Sequence, residues 1–284
     1  MFERFSRSWT LIKASAGVLA KDKELLVFPL LSGIATLLVM ASFALPLIGM
    51  GVFEQLGEHR ADALPVGAYV LGFLFYLVQY IVIFFFNTAL VGAAMIRLRG
   101  GDPTVADGLR IAMSKLPAIF GYALIAATVG MILRALQERA GWLGRWVAGF
   151  LGMAWTVASF LVVPVLVSRE VGAMDAVKES ASLLRKTWGE NVIGQGDIGL
   201  VFGLITFAAI LLGVALVVGA AMSQSVVLIV AAVALVAIVV LSLALVQTAL
   251  SGIYSAALYR HASGEGDSDG FEGALLSQAF AAKR

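Results

Sequence analysis

The chain has 284 residues, 61% of them hydrophobic and 13% charged, with a net charge of +2. The charged share is about half that of an ordinary soluble protein, and the mean hydropathy is +0.96. These values exclude a soluble globular domain, a disordered chain and a nucleic-acid-binding protein with a dedicated basic surface. Cysteine is absent, which excludes disulfides, thiolate nucleophiles and cysteine-based metal sites.

Runs without charged residues predict six membrane spans, because a span needs about 20 apolar residues to cross the hydrocarbon core. The first run is far too long for the apolar region of a cleavable signal peptide, so we expect it to remain as a span. The last run, 198–259, is long enough for two spans that turn at 222–225, and a division into three is the alternative. The predicted spans are about 25–51, 66–96, 117–136, 146–168, 198–221 and 226–258, between terminal segments 1–24 and 259–284.

Basic residues are distributed unequally between the two sides of these spans. The side that carries both termini has 16 lysine and arginine residues, and the other side has four. Because cytoplasmic segments carry the excess of basic residues, we expect both termini in the cytoplasm. This orientation requires an even number of spans.

A short amphipathic helix is predicted before each odd-numbered span, in segments 1–24, 103–116 and 175–189. Apolar residues recur there on one helical face, and we expect Asp102 and Pro103 to start the second helix. The helices either lie in the headgroup layer and orient the spans, or form a cytoplasmic collar that gates a path or docks a partner. The predicted apolar faces contain Phe5, Trp9, Ile12, Val105, Leu109, Val177, Ala181, Leu184 and Trp188.

The predicted fold is therefore an all-α integral membrane protein. Its six transmembrane helices form three hairpins, and each hairpin is preceded by one of the cytoplasmic amphipathic helices. Two of the longer spans, 66–96 and 226–258, exceed the thickness of a bilayer. We expect them to tilt, kink or project into the cytoplasm.

The sequence offers no residue set for catalysis, a cofactor or a metal. No ionisable residue lies deep inside a predicted span, which argues against a proton-driven carrier. His59 and His261 are predicted on opposite sides of the membrane. Residues 194–197 match the short glycine–aspartate motif of intramembrane aspartyl proteases, but that chemistry needs a second aspartate in the membrane. We expect Asp197 to cap the fifth span instead.

Uncharged polar residues and small residues are the remaining features of the spans. Polar side chains in spans usually hydrogen-bond a neighbouring helix, but Gln79, Asn87 and Gln247 are the best candidates for lining a polar path. Small residues at a spacing of four favour close helix packing, within one protomer or between two. In the fifth span they are Gly199, Gly203, Ala209 and Gly213.

Several strings along the chain carry a family resemblance. They are 8–13 (Ser-Trp-Thr-Leu-Ile-Lys), 21–26, 29–32, 84–92 running into Gly100-Gly101, and 270–271 leading to 279–280. Together they resemble an uncharacterised family of prokaryotic multi-span membrane proteins that is catalogued as a domain of unknown function. The resemblance implies a protein of the inner membrane with cytoplasmic ends, and it implies no activity and no catalytic residue.

The two leading functional hypotheses are not enzymatic. The first is an oligomeric assembly or scaffold component that contacts membrane lipids and a second copy or another membrane protein. Its basis is the lack of catalytic chemistry together with the amphipathic helices and the small-residue faces. The alternative is a channel or facilitator for a small solute or ion, and an enzyme that acts on lipid is a third hypothesis.

Overall fold

A computed structural model of the protein describes residues 2–50, 66–139, 141–188, 197–265 and 271. Throughout these residues the regular elements are helices. A short 3₁₀ helix (Lys23–Leu26) follows the first of them. In chain order they are α1 (Phe2–Lys21), α2 (Val27–Gly49), α3 (Val66–Leu98), α4 (Val105–Ser114), α5 (Leu116–Arg139), α6 (Gly141–Ser159), α7 (Val162–Ser168), α8 (Ala173–Trp188), α9 (Asp197–Met222) and α10 (Val226–Ser263).

Six segments of the described chain are long and apolar enough to cross a membrane. They are α2 with the 3₁₀ helix, α3, α5, α6 together with α7, α9 and α10. The prediction of an all-α protein with six such helices is therefore confirmed. Between α9 and α10 the chain turns at 223–225, and the Ser225 hydroxyl caps α10 by accepting a hydrogen bond from the Leu228 N–H at 3.5 Å.

The fourth span is broken at Phe160 and Leu161, where α6 ends and α7 begins. Pro164 in the first turn of α7 has no N–H to donate to the Phe160 carbonyl, which explains why the helix is interrupted here. At the break the Leu161 N–H donates to a side chain of α8 rather than to a carbonyl of its own helix. Its acceptor is the hydroxyl of the fully buried Ser180, at 3.0 Å. A side chain from another helix thus satisfies a backbone group that the break sets free.

Helix α3 lies at the centre of the bundle and packs against α2, α4, α5, α7 and α10. The contact with α4 depends on Gly108. A Cβ atom there would lie 2.7 Å from the Ala89 carbonyl oxygen and 2.5 Å from the Phe28 ring. Any side chain at this position would push α4 away from α3.

The buried core occupies one end of the bundle, which we call the core end. It is made by 88–98 of α3 and 249–260 of α10, where nearly every residue is buried, together with buried residues of α1, α7 and α8. The opposite halves of the spans carry large exposed apolar side chains, such as Leu45 of α2 and Leu212 of α9. The helices therefore pack tightly at the core end and expose apolar surface over the rest of their length.

The three predicted amphipathic segments contain α1, α4 and α8, which lie at the core end. Ile12 and Leu184 are buried in the core, Val105, Leu109 and Val177 are partly buried against it, and Ala181 is half-buried. The side chains of Phe5, Trp9 and Trp188 lie outside the described part of the chain. On α8 the fully enclosed residues are Ala176, Ser180 and Leu184, so the buried face is rotated from the one that the apolar spacing predicts.

The predicted start of α4 at Asp102 and Pro103 is wrong. Thr104 is the cap, because it has an extended backbone (φ −94°, ψ 162°) and its hydroxyl accepts a hydrogen bond from the Asp107 N–H at 3.2 Å. The Asp107 carboxylate in turn accepts from the Thr104 N–H at 3.1 Å. The Thr104 hydroxyl also donates to this carboxylate at 2.7 Å, and it lowers the pKa of Asp107 together with the hydrogen bond from the Thr104 N–H. The contacts between the two residues form a reciprocal capping box.

Candidate functional site

A cavity of about 330 Å³ lies where α2, α3 and α10 meet the break before α7. We call it the polar pocket, because amide and hydroxyl groups line one part of it. Its lining contains Phe28, Pro29, Ser32, Ile83, Phe86, Asn87, Leu90, Phe160, Gln247, Thr248, Ser251, Gly252 and Ser255. The pocket contains two of the three predicted path-lining residues, Asn87 and Gln247, and does not contain the third, Gln79.

The spacing of the lining residues explains how two helices present them together. On α3 they follow the helical repeat from Ile83 to Leu90, and on α10 they follow it from Gln247 to Ser255, so each set lies on one face. The two faces approach closely at Gly252. A Cβ atom there would lie 2.5 Å from Leu90 Cδ2 and 3.9 Å from Asn87 Oδ1.

The polar groups of the pocket fall into two classes. The hydroxyls of Thr248 and Ser255 donate to carbonyls of their own helix, at 2.8 Å and 2.9 Å. Four other side chains of the lining make no hydrogen bond with any residue that the structure describes: Ser32, Asn87, Gln247 and Ser251. Such groups have unmet hydrogen-bonding capacity, which is costly where water is excluded.

The pocket lies beside the buried core end, and part of its lining is exposed. Leu250 and Ile253 are buried beside it on α10. Ile83 is 42% exposed, and Thr248 is exposed as well. Both residues lie on helices that are long and apolar enough to cross a membrane.

The broken fourth span contributes one wall of the pocket. Phe160 lies in the break itself, and its ring centroid is 6.4 Å from that of Tyr254 on α10. The neighbouring Leu161 is held by the hydrogen bond to Ser180. A polar contact with α8 therefore fixes the segment that places Phe160.

Gln79 lies two turns from Asn87 on α3, outside the pocket. Its side-chain oxygen is buried and has no hydrogen-bond partner among the described residues. Sequence reasoning did not include Ser32 and Ser251 among the path-lining residues. A serine in an apolar helix is not a distinctive signal, because its hydroxyl usually bonds to its own backbone.

The four small residues predicted on one face of α9 have different surroundings in the structure. A Cβ atom at Gly213 would lie 2.7 Å from Val236, so this glycine lets α9 approach α10 within one chain. Ala209 is half-buried. Gly199 and Gly203 have no atom within 4 Å of the corresponding position, so their side of α9 is uncovered in the described structure.

Charged side chains link the helices at the core end. Lys115 is buried at the start of α5, and its Nζ lies 2.7 Å from the Glu170 carboxylate and donates to the Arg169 carbonyl at 3.0 Å. Arg99 and Glu265 are 3.0 Å apart and join the ends of α3 and α10. These pairs tie together segments that are distant in sequence.

Asp22 is a buried acid between α1 and the 3₁₀ helix. Burial raises the pKa of its carboxyl, and the positive charge of Arg97 acts in the opposite direction. One of its carboxylate oxygens has no hydrogen-bond partner among the described residues. The described chain has no group of three or more histidine or acidic residues that could hold a metal ion.

A second cavity, of about 450 Å³, lies on the exposed surface of α6. All of its lining residues belong to this one helix, including Trp142, Arg145 and Trp146. Both tryptophans are largely exposed. Aromatic residues beside an arginine at the end of a span are typical of an anchor at the membrane surface.

One protein-family model matches residues 66–271 of the chain, from the start of α3 to beyond α10. It is described as a family of unknown function, DUF6159. The matched region contains every lining residue of the polar pocket except those of α2. No curated protein matches the chain.

Proposed function

The chain belongs to this family of unknown function, and we propose that it is a non-enzymatic facilitator that binds a small uncharged polar group in the polar pocket. The proposal rests on one observation: Ser32, Asn87, Gln247 and Ser251 meet in the pocket without hydrogen-bond partners among the described residues. All four side chains are half-buried, and a polar group that leaves water without finding a partner loses free energy. A ligand with hydroxyl or carbonyl groups supplies those partners.

The lining determines what kind of group can bind. It contains amides and hydroxyls but no charged side chain. An ion would lose its hydration there without a counter-charge, whereas an uncharged polar group keeps its hydrogen bonds. The tightly packed core end beside the pocket supports a binding pocket that loads and releases its ligand rather than a continuous open pore.

The absence of native cysteine allows a direct test of occupancy. Ser251→Cys places one thiol in the pocket, and its rate of reaction with N-ethylmaleimide in proteoliposomes reports access. High concentrations of glycerol, used as an uncharged probe, should slow this reaction several-fold. Ser263→Cys, at the end of α10 and outside the pocket, is the control for general effects of glycerol.

Substitutions test whether the Asn87 and Gln247 amides are needed for the protection of Ser251→Cys by glycerol. Asn87→Leu or Gln247→Leu, introduced beside Ser251→Cys, should remove the protection. Gln79→Leu is the matched control, because it removes an amide from α3 outside the pocket and should leave the protection intact. Absence of protection in the Ser251→Cys protein, or equal protection in all variants, would contradict the proposed function.

We also propose that the core end faces the cytoplasm of a prokaryotic cell and that both termini lie on that side. The excess of lysine and arginine on this side supports the orientation. The repeated order of one short helix and two spans supports three modules, since α2 packs on α3, α5 on α6 and α9 on α10. In this arrangement α1, α4 and α8 lie at the inner membrane surface.

Assembly into an oligomer or scaffold is the second candidate function. The uncovered side of α9 at Gly199 and Gly203 favours it, because small residues let another helix approach closely. Native mass measurement in lipid nanodiscs tests it. A defined oligomer that Gly203→Leu dissociates would support assembly, and a monomeric wild-type protein without a co-purifying partner would contradict it.

A further inference from the structure

The depth of the polar pocket in the membrane is inferred from the lengths of α3 and α10 that face lipid. On α3 an apolar stretch that is mostly exposed or half-buried runs over 66–86, and on α10 a mostly exposed one runs over 226–247. At 1.5 Å per residue these stretches are about 31 Å and 33 Å long, which matches a hydrocarbon core of about 30 Å. The buried segments of the core end begin at Thr88 on α3 and at Ala249 on α10.

The polar pocket therefore lies at the boundary between the hydrocarbon core and the headgroup layer. Asn87 and Gln247 are half-buried and lie within two residues of the first buried residue of the core end on their helices. The glycerol and ester groups of phospholipids and neutral glycerolipids occupy this depth. The amides of the pocket thus lie at the level where lipids present uncharged hydrogen-bonding groups.

The lining suits the uncharged part of a lipid. No lysine or arginine lines the pocket, so a phosphate would find no counter-charge there. The volume of about 330 Å³ corresponds to roughly eleven water molecules at about 30 Å³ each. This is enough room for a glycerol unit with the first carbons of its ester chains, against the rings of Phe86 and Phe160.

We infer that the polar pocket binds the glycerol and ester groups of an uncharged glycerolipid, such as a diacylglycerol, which enters sideways from the leaflet at the core end. Ile83 and Thr248 at the mouth are exposed, so the acyl chains extend past them into the bilayer. The Asn87 and Gln247 amides donate to ester carbonyls and accept from the free hydroxyl. This inference rests on the proposed function and names the substrate class of the same site.

A photoreactive diacylglycerol tests the inference. The lipid carries a diazirine early in one acyl chain and is mixed into phosphatidylcholine vesicles that contain the full chain. Peptide mapping should locate the crosslink within 83–90 or 247–255. Asn87→Leu and Gln247→Leu should reduce this crosslink at least tenfold, and Gln79→Leu should leave it unchanged, because all variants share the same annular lipid.

Two further probes distinguish a diacylglycerol from a charged phospholipid and from free glycerol. A matched photoreactive phosphatidylglycerol should crosslink to the pocket at least tenfold less than the diacylglycerol, and equal crosslinking would overturn the requirement for an uncharged group. Protection of Ser251→Cys by free glycerol without a diacylglycerol crosslink would overturn the inference and leave the proposed function standing. The absence of both signals would overturn both.

Discussion

Individual polar residues in the spans differ in whether their own helix satisfies them. The hydroxyls of Thr128, Thr156 and Thr248 each donate to the carbonyl four residues earlier. The longer amides of Asn87 and Gln247 make no hydrogen bond within the described chain. The Gln79 oxygen also has no partner among the described residues, so Asn87 and Gln247 are distinguished by lacking a partner and lining the pocket at the same time.

The sequence predicts Asn87 and Gln247 as path-lining residues but cannot separate them from Gln79. Eight residues on an α-helix correspond to a rotation of about 80° beyond two full turns, so Gln79 and Asn87 point to different neighbours on α3. Which direction leads to a pocket depends on where α2 and α10 pack. That information is tertiary and is absent from the periodicity of one helix.

Asp22 gives a pH-dependent prediction at the residue scale. Burial raises its pKa above the ordinary 3.8, with Arg97 opposing, so the folded protein binds this proton more tightly than the unfolded chain. Its contribution to the free energy of unfolding therefore falls as the pH rises through the interval between 3.8 and the raised pKa, and the penalty is fully present above it.

Asp22→Asn removes this titration and keeps the shape of the side chain. The free energy of unfolding of the variant, relative to the wild type, should increase as the pH is raised from acid to neutral. Detergent-induced unfolding at a series of pH values measures it. A difference that stays constant across the series would show that the carboxyl keeps its ordinary pKa in the folded protein.

At the scale of the elements, the break in the fourth span depends on a proline within the span and on a contact with another helix. Pro164 predicts a kink or an end of the helix near this position, and the structure has the break at Phe160 and Leu161. The partner of the freed Leu161 N–H, Ser180, comes from a different helix. On α8, Ser180 and Ala176 are buried although they are small or polar, which explains why apolar spacing alone misplaces its buried face.

Ser180→Ala should therefore destabilise the protein by about 1–3 kcal/mol, because a buried N–H would lose its only acceptor among the described residues. Ser182→Ala is the matched control. It changes an exposed serine of the same helix and should alter stability by less than about 0.5 kcal/mol. Comparable losses in the two variants, measured by unfolding in detergent, would disprove the role of this hydrogen bond.

At the scale of the whole molecule, composition and run length are sufficient to predict six spans, since the bilayer imposes one length on every helix that crosses it. They do not predict where the core lies. The helices α3 and α10, of 33 and 38 residues, exceed that length, and tilting, kinking and projection all fit the sequence. The structure shows that their additional turns form the buried core end, beside the polar pocket.

The proposed orientation of the molecule is tested by reporter fusions. A tag at the C-terminus, and a tag between α3 and α4 at the core end, should both be cytoplasmic. A tag between α9 and α10 should be on the opposite side. A C-terminal tag on the outside would contradict both the even number of spans and the placement of the pocket at the inner leaflet.

The central claim is that Asn87 and Gln247 serve a ligand rather than the packing of helices, and the free energy of unfolding without added ligand tests it most directly. If the amides have no partner in the protein, Asn87→Leu and Gln247→Leu should each stabilise the delipidated protein by about 1–3 kcal/mol. Thr248→Val, which removes a hydroxyl already bonded to its own helix, should be near neutral. Destabilisation by either leucine variant would mean that the amide holds the helices together, and would contradict the account.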